Sequence, residues 1–156
     1  MISVKEKRNL FPNAIWACGD LGTSNFNDNN VTLIKSDEYS TNGDYSIKFI
    51  MPSGSVSNMG YKIENPTGMA GKSLKFSAYV QTDHEVNCTI YVMYSDGTPT
   101  AQYNTVVPVG GQTVNVSTPS LGDNISRMHY RLSYNNNSES DITVYTDNWN
   151  LEEVTQ

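Results

Sequence analysis

The sequence predicts an all-β protein, a two-sheet antiparallel β-sandwich of the jelly-roll kind. Three observations predict it. Leu74, Phe76, Ala78 and Val80 alternate with Lys75, Ser77, Tyr79 and Gln81, and Cys88, Ile90, Val92 and Tyr94 alternate with Thr89, Tyr91 and Met93. A period of two describes strands with one buried face, whereas a helix would scatter these apolar groups around its axis. Asn, Ser and Thr together number 49 of 156 residues, and charged residues are only 17%. Short polar side chains of this sort serve turns and strand surfaces. Finally, no stretch keeps a 3.6-residue period long enough for a helix of ordinary length.

In chain order, residues 1–8 read as a leader or linker and residues 9–156 as one jelly-roll domain. Pro12 and Asn13 turn the chain into an expected short strand over Ile15–Cys18. Residues 19–30, rich in Gly, Asn, Asp and Ser, are expected to be a loop of functional length. Val31–Ser36 reads as a strand, and the Asn42-Gly43 turn leads into another over Tyr45–Met51. A short strand is expected around Met59–Ile63, followed by a turn through Pro66-Thr67-Gly68. The two alternating runs within residues 72–97 come next. The polar corner Asp83-His84-Glu85 between them predicts an antiparallel hairpin. Strands then follow over Ala101–Val107, Gln112–Ser117, Arg127–Tyr134 and Ile142–Val154, with turn residues between them. Regular short strands of this spacing fit a two-sheet sandwich.

The net charge of −6 excludes a general nucleic-acid binder, because neutralising phosphates requires clustered Lys and Arg. A hydroxyl-rich or neutral partner suits the balance better. No apolar run is long enough to span a membrane, so no membrane insertion is expected. The first residues lack the apolar core of a signal peptide. The expectation is a piece of a larger chain, or a protein that leaves the cell by another route, as a virion component would. Cys18 and Cys88 are too few for a disulfide framework. A buried free thiol is the reading for Cys88, with a Cys18–Cys88 bridge as the alternative.

Four segments resemble, in order, carbohydrate-binding modules with the galactose-binding-like jelly roll. NLFPNAIW (Asn9–Trp16) is similar to their opening "Asn-Leu-Leu-x-Asn-Gly-x-Phe", and DEYSTNGDYSIKF (Asp37–Phe49) to their "Gly-x-Tyr-Ser-Leu-x-Val" strand. GKSLKFSAYV (Gly71–Val80) resembles "Gly-Lys-x-Tyr-x-Phe-Ser-Ala-Tyr-Val", and VYTDNWNLEEV (Val144–Val154) resembles the closing "Tyr-x-Asp-Asp-Val-x-Leu". The opening Lys7-Arg8-Asn9-Leu10-Phe11 also has the flavour of such domains in phage and virus tail-associated structural proteins.

The resemblance implies sugar capture by aromatic stacking plus hydrogen bonds from planar polar side chains. Tyr79, Gln81, Tyr91, His129 and Arg131 supply such a set if residues 72–82, 87–95 and 127–134 share one sheet. The plain alternative is a solvated face whose Tyr and Arg only support cross-strand packing. Tyr61, and Phe26 in the long loop, are further stacking candidates at a loop rim. Trp16 and Trp149 take core positions by the motif match. Members of this group commonly hold a structural calcium ion between the first segment and the last strand. Asn13 and Asp147 are the oxygen ligands this implies; Asn148 stands where the second Asp would be, and Ala17 where an acidic ligand often sits.

Catalysis finds little support. His84 and His129 neighbour no nucleophile motif, and Asp83, Glu85, Asp96, Asp123 and Asp141 fall in corners. The expected role is therefore a non-catalytic module binding carbohydrate or a cell-surface glycan, extracellular or virion-associated. It would sit on a virion tail or cell-surface protein, as a homo-oligomer or within a parent structural protein. The alternative is a structural or oligomerisation domain of a phage-like fibre without a sugar ligand, its outward tyrosines covered by a neighbouring copy.

Overall fold

The structure, a computed structural model, describes residues 9–154. The leader expected over residues 1–8 lies outside the described residues. Ten strands are present among the described residues. They are β1 (Asn27–Asn29), β2 (Leu33–Ser36), β3 (Ser46–Met51), β4 (Val56–Glu64), β5 (Leu74–Thr82), β6 (Val86–Tyr94), β7 (Ala101–Val107), β8 (Gly110–Ser117), β9 (Ile125–Asn135) and β10 (Ile142–Glu153). They form two five-stranded antiparallel sheets, ordered β1-β4-β9-β6-β7 (sheet A) and β2-β3-β10-β5-β8 (sheet B). This is the expected all-β sandwich. No helix among the described residues is long and apolar enough to cross a membrane.

The core lies between the sheets and is built from the alternating apolar phase of each strand. Leu74, Phe76, Ala78 and Val80 of β5 face Cys88, Ile90 and Val92 of β6 and Met128, Tyr130 and Leu132 of β9, all essentially inaccessible. Trp149 sits at the centre, with Phe76 at 4.9 Å and Phe26 at 5.1 Å between ring centroids. Its indole N–H donates to Thr146 Oγ1 at 2.8 Å, and that hydroxyl donates to the Tyr79 carbonyl at 2.8 Å. A buried indole needs such a partner. Trp149 reaches the core because β10 bulges against β5 between Asp147 and Asn150, where Asn148 takes a φ of 52°. One extra residue reverses the in–out phase, so Thr146 and Trp149 both point inward.

Four local expectations are corrected. Strands β5 and β6 do not pair; they lie in opposite sheets, and Asp83-His84-Glu85 is an arch between layers. Thr82 Oγ1 closes it, donating to the His84 carbonyl at 2.7 Å and accepting from the His84 N–H at 3.2 Å. Alternation marks which face of each strand is buried, and two such faces can pack across a sandwich as well as lie side by side. The strand expected over Ile15–Cys18 is instead a helical turn, α1 (Asn13–Trp16), followed by a 3₁₀ turn over Cys18–Leu21. Pro12 presets its start, and Asn13 Oδ1 accepts the Trp16 indole N–H at 2.7 Å. The loop over 19–30 contains β1, whose sequence Asn-Asp-Asn carries no apolar signal. Phe26 of that loop is no rim residue; it is buried against Trp149. Trp149 is core as expected, whereas Trp16, also expected there, is only partly buried and packs against the edge of the core. Both cysteines are free and buried.

Candidate functional site

Antiparallel register turns the outward phase of each strand into rows of side chains. On the outer face of sheet A, one row runs Lys62–His129–Tyr91–Gln102 across β4, β9, β6 and β7. The adjacent row runs Asn27–Gly60–Arg131–Thr89–Asn104. The strands thus bring together three of the predicted residues, Tyr91, His129 and Arg131. Tyr79 and Gln81 are elsewhere: β5 belongs to sheet B, so they face out on the opposite side of the sandwich. The single five-residue face expected from the alternation is therefore two faces. Tyr61 joins neither. It pairs with Tyr130 on the inner phase of β4 and meets Phe11 edge-on at 5.8 Å. There it lines a cavity of about 480 Å³ at one end of the sandwich, together with Asn13 and Met69.

On sheet A, Arg131 dominates. Its guanidinium lies 4.0 Å from the Tyr91 ring centroid, and Nη2 donates to the Tyr91 hydroxyl. One face of the tyrosine is thereby covered, and the guanidinium plane is presented in its place. On the other side of β9, Gly60 lets β4 lie tight against the Arg131 backbone. A Cβ there would collide with the Tyr130 carbonyl and with Cα and Cβ of Arg131. Beside it, Thr89 Oγ1 donates to Asn104 Oδ1 at 2.7 Å and Gln102 Nε2 to the same oxygen at 3.0 Å. Arg127 is held by Glu64 at 2.6 Å.

His129 is 7% exposed, and neither its Nε2 nor Arg131 Nε has a hydrogen-bond partner. Burial first, then the charges of Arg131, Lys62 and Arg127, push the imidazole down to about 4, so it is neutral at physiological pH. A shallow cavity of about 380 Å³ opens over these groups, lined by Asn27, Asn58, Lys62, Met93, His129 and Arg131 among others. Although the chain as a whole is acidic, this face is rich in hydrogen-bond donors. Lys62, Gln102 and Asn104 were missed by sequence reasoning. The phase of β4 and β7 would have given them once those strands were placed beside β9 and β6.

On sheet B, Tyr79 Oη and Gln81 Oε1 sit 3.5 Å apart over Gly111, in the space that a Cβ would occupy. Gln81 pairs across to Tyr145 of β10.

Each of the two oxygen ligands expected for calcium has hydrogen-bond partners of its own, and Asn42 touches both neighbourhoods, donating to Asp147 Oδ2 and to the Trp16 carbonyl. Asn13 Oδ1 accepts from Trp16, as described. Asp147 is fully buried; its Oδ2 accepts the N–H groups of Thr41 and Asn42 at 2.6 and 2.8 Å, whereas Oδ1 has no hydrogen-bond partner. Burial raises its carboxyl above the usual carboxylate range, against the opposing pull of those N–H groups. Among the described residues, no group of three or more His, Cys, Asp or Glu side chains is placed to hold a metal ion.

No protein-family model matches the chain, and no curated protein does. Solved structures do. The CBM22-1 xylan-binding domain of Paenibacillus barcinonensis Xyn10C superposes with a TM-score of 0.70 at 14% identity, covering 99% of each chain. A family 16 carbohydrate-binding module gives a TM-score of 0.66 at 15% identity, over 86% of this chain and 95% of that one. The enzymatically active domain of bacteriophage CBA120 tailspike protein 4 gives 0.65 at 13% identity, over 94% of this chain but 21% of that one. The chain thus has the jelly-roll fold shared by carbohydrate-binding modules. Likeness at these identities establishes the fold, and the fold alone hosts many roles.

Proposed function

We propose that this domain is a non-catalytic carbohydrate-binding module whose principal site is the outer face of sheet A. The observation that carries the reading is the Arg131–Tyr91–His129 constellation. It combines a guanidinium fixed on an aromatic ring, a neutral buried imidazole with a free ring nitrogen, and a cavity bordered by Asn and Lys side chains. Sugar oxygens are acceptors arranged around a shallow ring. A planar donor fork and several amides recognise them without a deep pocket. Carbohydrate-binding names among the structural neighbours support the same reading. Two carboxylates lie near this face: Asp28 lines the cavity, and Glu64 is tied to Arg127.

The setting that fits is an extracellular or virion-associated one, on a tail or cell-surface protein. There, copy number would raise the avidity of a weak site. A single structural calcium belongs to the same proposal. Asp147 Oδ1, a buried hard oxygen without a hydrogen-bond partner, is the atom that would ligate it, with Asn13 as the other expected oxygen ligand.

The test is a glycan-array screen of the purified chain and of Arg131→Ala, each with calcium and with EDTA. Binding by the parent that drops at least tenfold in the variant is expected, since a charged hydrogen bond contributes about 1.5–3 kcal/mol. Silence from a folded sample at millimolar sugar would sink the binding reading in favour of a structural module. An unchanged melting temperature between calcium and EDTA would remove the metal.

A further inference from the structure

The outer face of sheet B holds a second aromatic group that the sheet A site does not use. Tyr39, in the segment before β3, packs against Tyr145 of β10 with ring centroids 4.8 Å apart and planes at 55°. Tyr145 is locked in place, its hydroxyl donating to Glu38 Oε2 at 2.6 Å. The Glu38 backbone is pinned in turn: its N–H donates to Ser36 Oγ at 3.1 Å, and its carbonyl accepts from Ser46 Oγ at 2.5 Å. Tyr39 is 49% exposed, yet its φ is 54°, a left-handed conformation that bulky side chains seldom adopt. Fixed neighbours thus hold a large aromatic ring out into solvent against its backbone preference. Strain of this kind, in a residue that adds nothing to the core, points to a role at the surface.

The rings border a cavity of about 290 Å³ whose other walls include Gln81, Asp83, Thr143 and Val109. Gln81 is kept in position over Gly111 beside Tyr79. Asp83 lies 3.5 Å from the Thr143 N–H through one oxygen.

From this geometry we infer a second glycan subsite on sheet B, taking a neutral pyranose residue between the Tyr39–Tyr145 pair and the Gln81–Asp83 edge. The inference rests on the reading of the domain as a sugar-binding module for its ligand class, but on different residues. An aromatic ring offers a face to the C–H side of a sugar, and a side-chain amide and a carboxylate accept or donate to its hydroxyls. The carboxylates of Glu38 and Asp83 disfavour an acidic sugar, with Lys48 (5.7 Å from the Tyr145 centroid) the nearby cation. A protein-docking face would be expected to offer an apolar patch, whereas here the aromatic rings alternate with polar side chains. With a site on each sheet, one domain could bridge two chains of a polysaccharide.

The full chain, ¹⁵N-labelled, is titrated with xylotetraose, cellotetraose and β-1,4-galactotetraose, and separately with tetragalacturonate. At least one neutral probe is expected to shift the amide signals of Tyr39, Gln81, Thr143 and Tyr145 saturably. Those shifts should survive Arg131→Ala, and Tyr39→Gly should weaken them at least tenfold. Tyr39→Gly relieves the left-handed backbone but also removes the ring contact with Tyr145, so the melting temperature should stay close to the parent's and the loss of binding is read on a folded protein. Shifts confined to sheet A would overturn the second subsite while leaving the principal one standing. Shifts confined to sheet B would uphold it and overturn the principal site. A shift only with tetragalacturonate, no shift with any probe, or a self-association that Tyr39→Gly abolishes would each overturn it.

Discussion

His129 should make the stability of this domain fall as the pH drops from neutral to mildly acid. Its ring is on β9 between Lys62 and Tyr91 in register, with Arg127 and Arg131 on the same face, and it is 7% exposed. These surroundings bring its folded pKa to about 4, against 6.5 for an ordinary imidazole. Between those values the unfolded chain takes up a proton that the folded chain refuses. Stability is therefore fully present above about pH 6.5 and is lost as pH falls toward 4. At about 1.36 kcal/mol per unit, the loss between pH 7 and roughly pH 4.5 comes to about 2–3 kcal/mol. Urea unfolding of the parent and of His129→Gln at the two pH values measures it. Other groups titrate alike in both proteins and cancel in the difference. If the two lose the same stability, the histidine is not held neutral, and the electrostatic account of the sheet A face fails. Arg131→Ala should raise the His129 pKa part of the way, as imidazole NMR would show, because burial, the larger cause, remains.

Other outcomes follow from the same geometry. Trp149→Ala removes the ring at the centre of the core and should cost about 3–5 kcal/mol in urea unfolding; a loss under about 1 kcal/mol would show that its contacts with Phe26 and Phe76 do not hold the sheets together. Gly60→Ala places a methyl group against the Tyr130 carbonyl and the Arg131 backbone, so roughly 1–3 kcal/mol of stability should go. Its effect on sugar affinity should match that of Arg131→Ala in direction, and an unaffected affinity would separate Arg131's placement from Gly60. Burial pushes the Cys18 thiol up and that of Cys88 to about 12, so neither should react with a thiol reagent in the native chain and both should in urea. Rapid labelling of the native protein, or no labelling of the unfolded one, would contradict two buried free thiols.

The arch at Asp83-His84-Glu85 illustrates why some of this molecule was legible in its sequence and some was not. Alternation reports one thing reliably, which side of a strand is dry, and on β5, β6 and β9 that side was assigned correctly, down to the outward Tyr79, Tyr91 and Arg131. It does not report which strands are neighbours. A short polar corner is equally able to return a strand beside its predecessor or across the core from it. The choice was made here by β10 and β8 flanking β5, and by β9 and β7 flanking β6. Strand β1 was invisible for the converse reason. Its pairing with β4 is carried by main-chain hydrogen bonds, and its three exposed polar side chains leave no pattern.

The sequence by itself therefore determined the class of fold and the inward positions of the strands, because burial is written residue by residue in apolar periodicity. Only the tertiary structure decided that the candidate ligand residues divide between two faces, that Arg131 covers Tyr91, and that Tyr39 stands strained beside Tyr145. Those facts depend on strand adjacency and register, which long-range packing of the whole sandwich selects and no local stretch encodes.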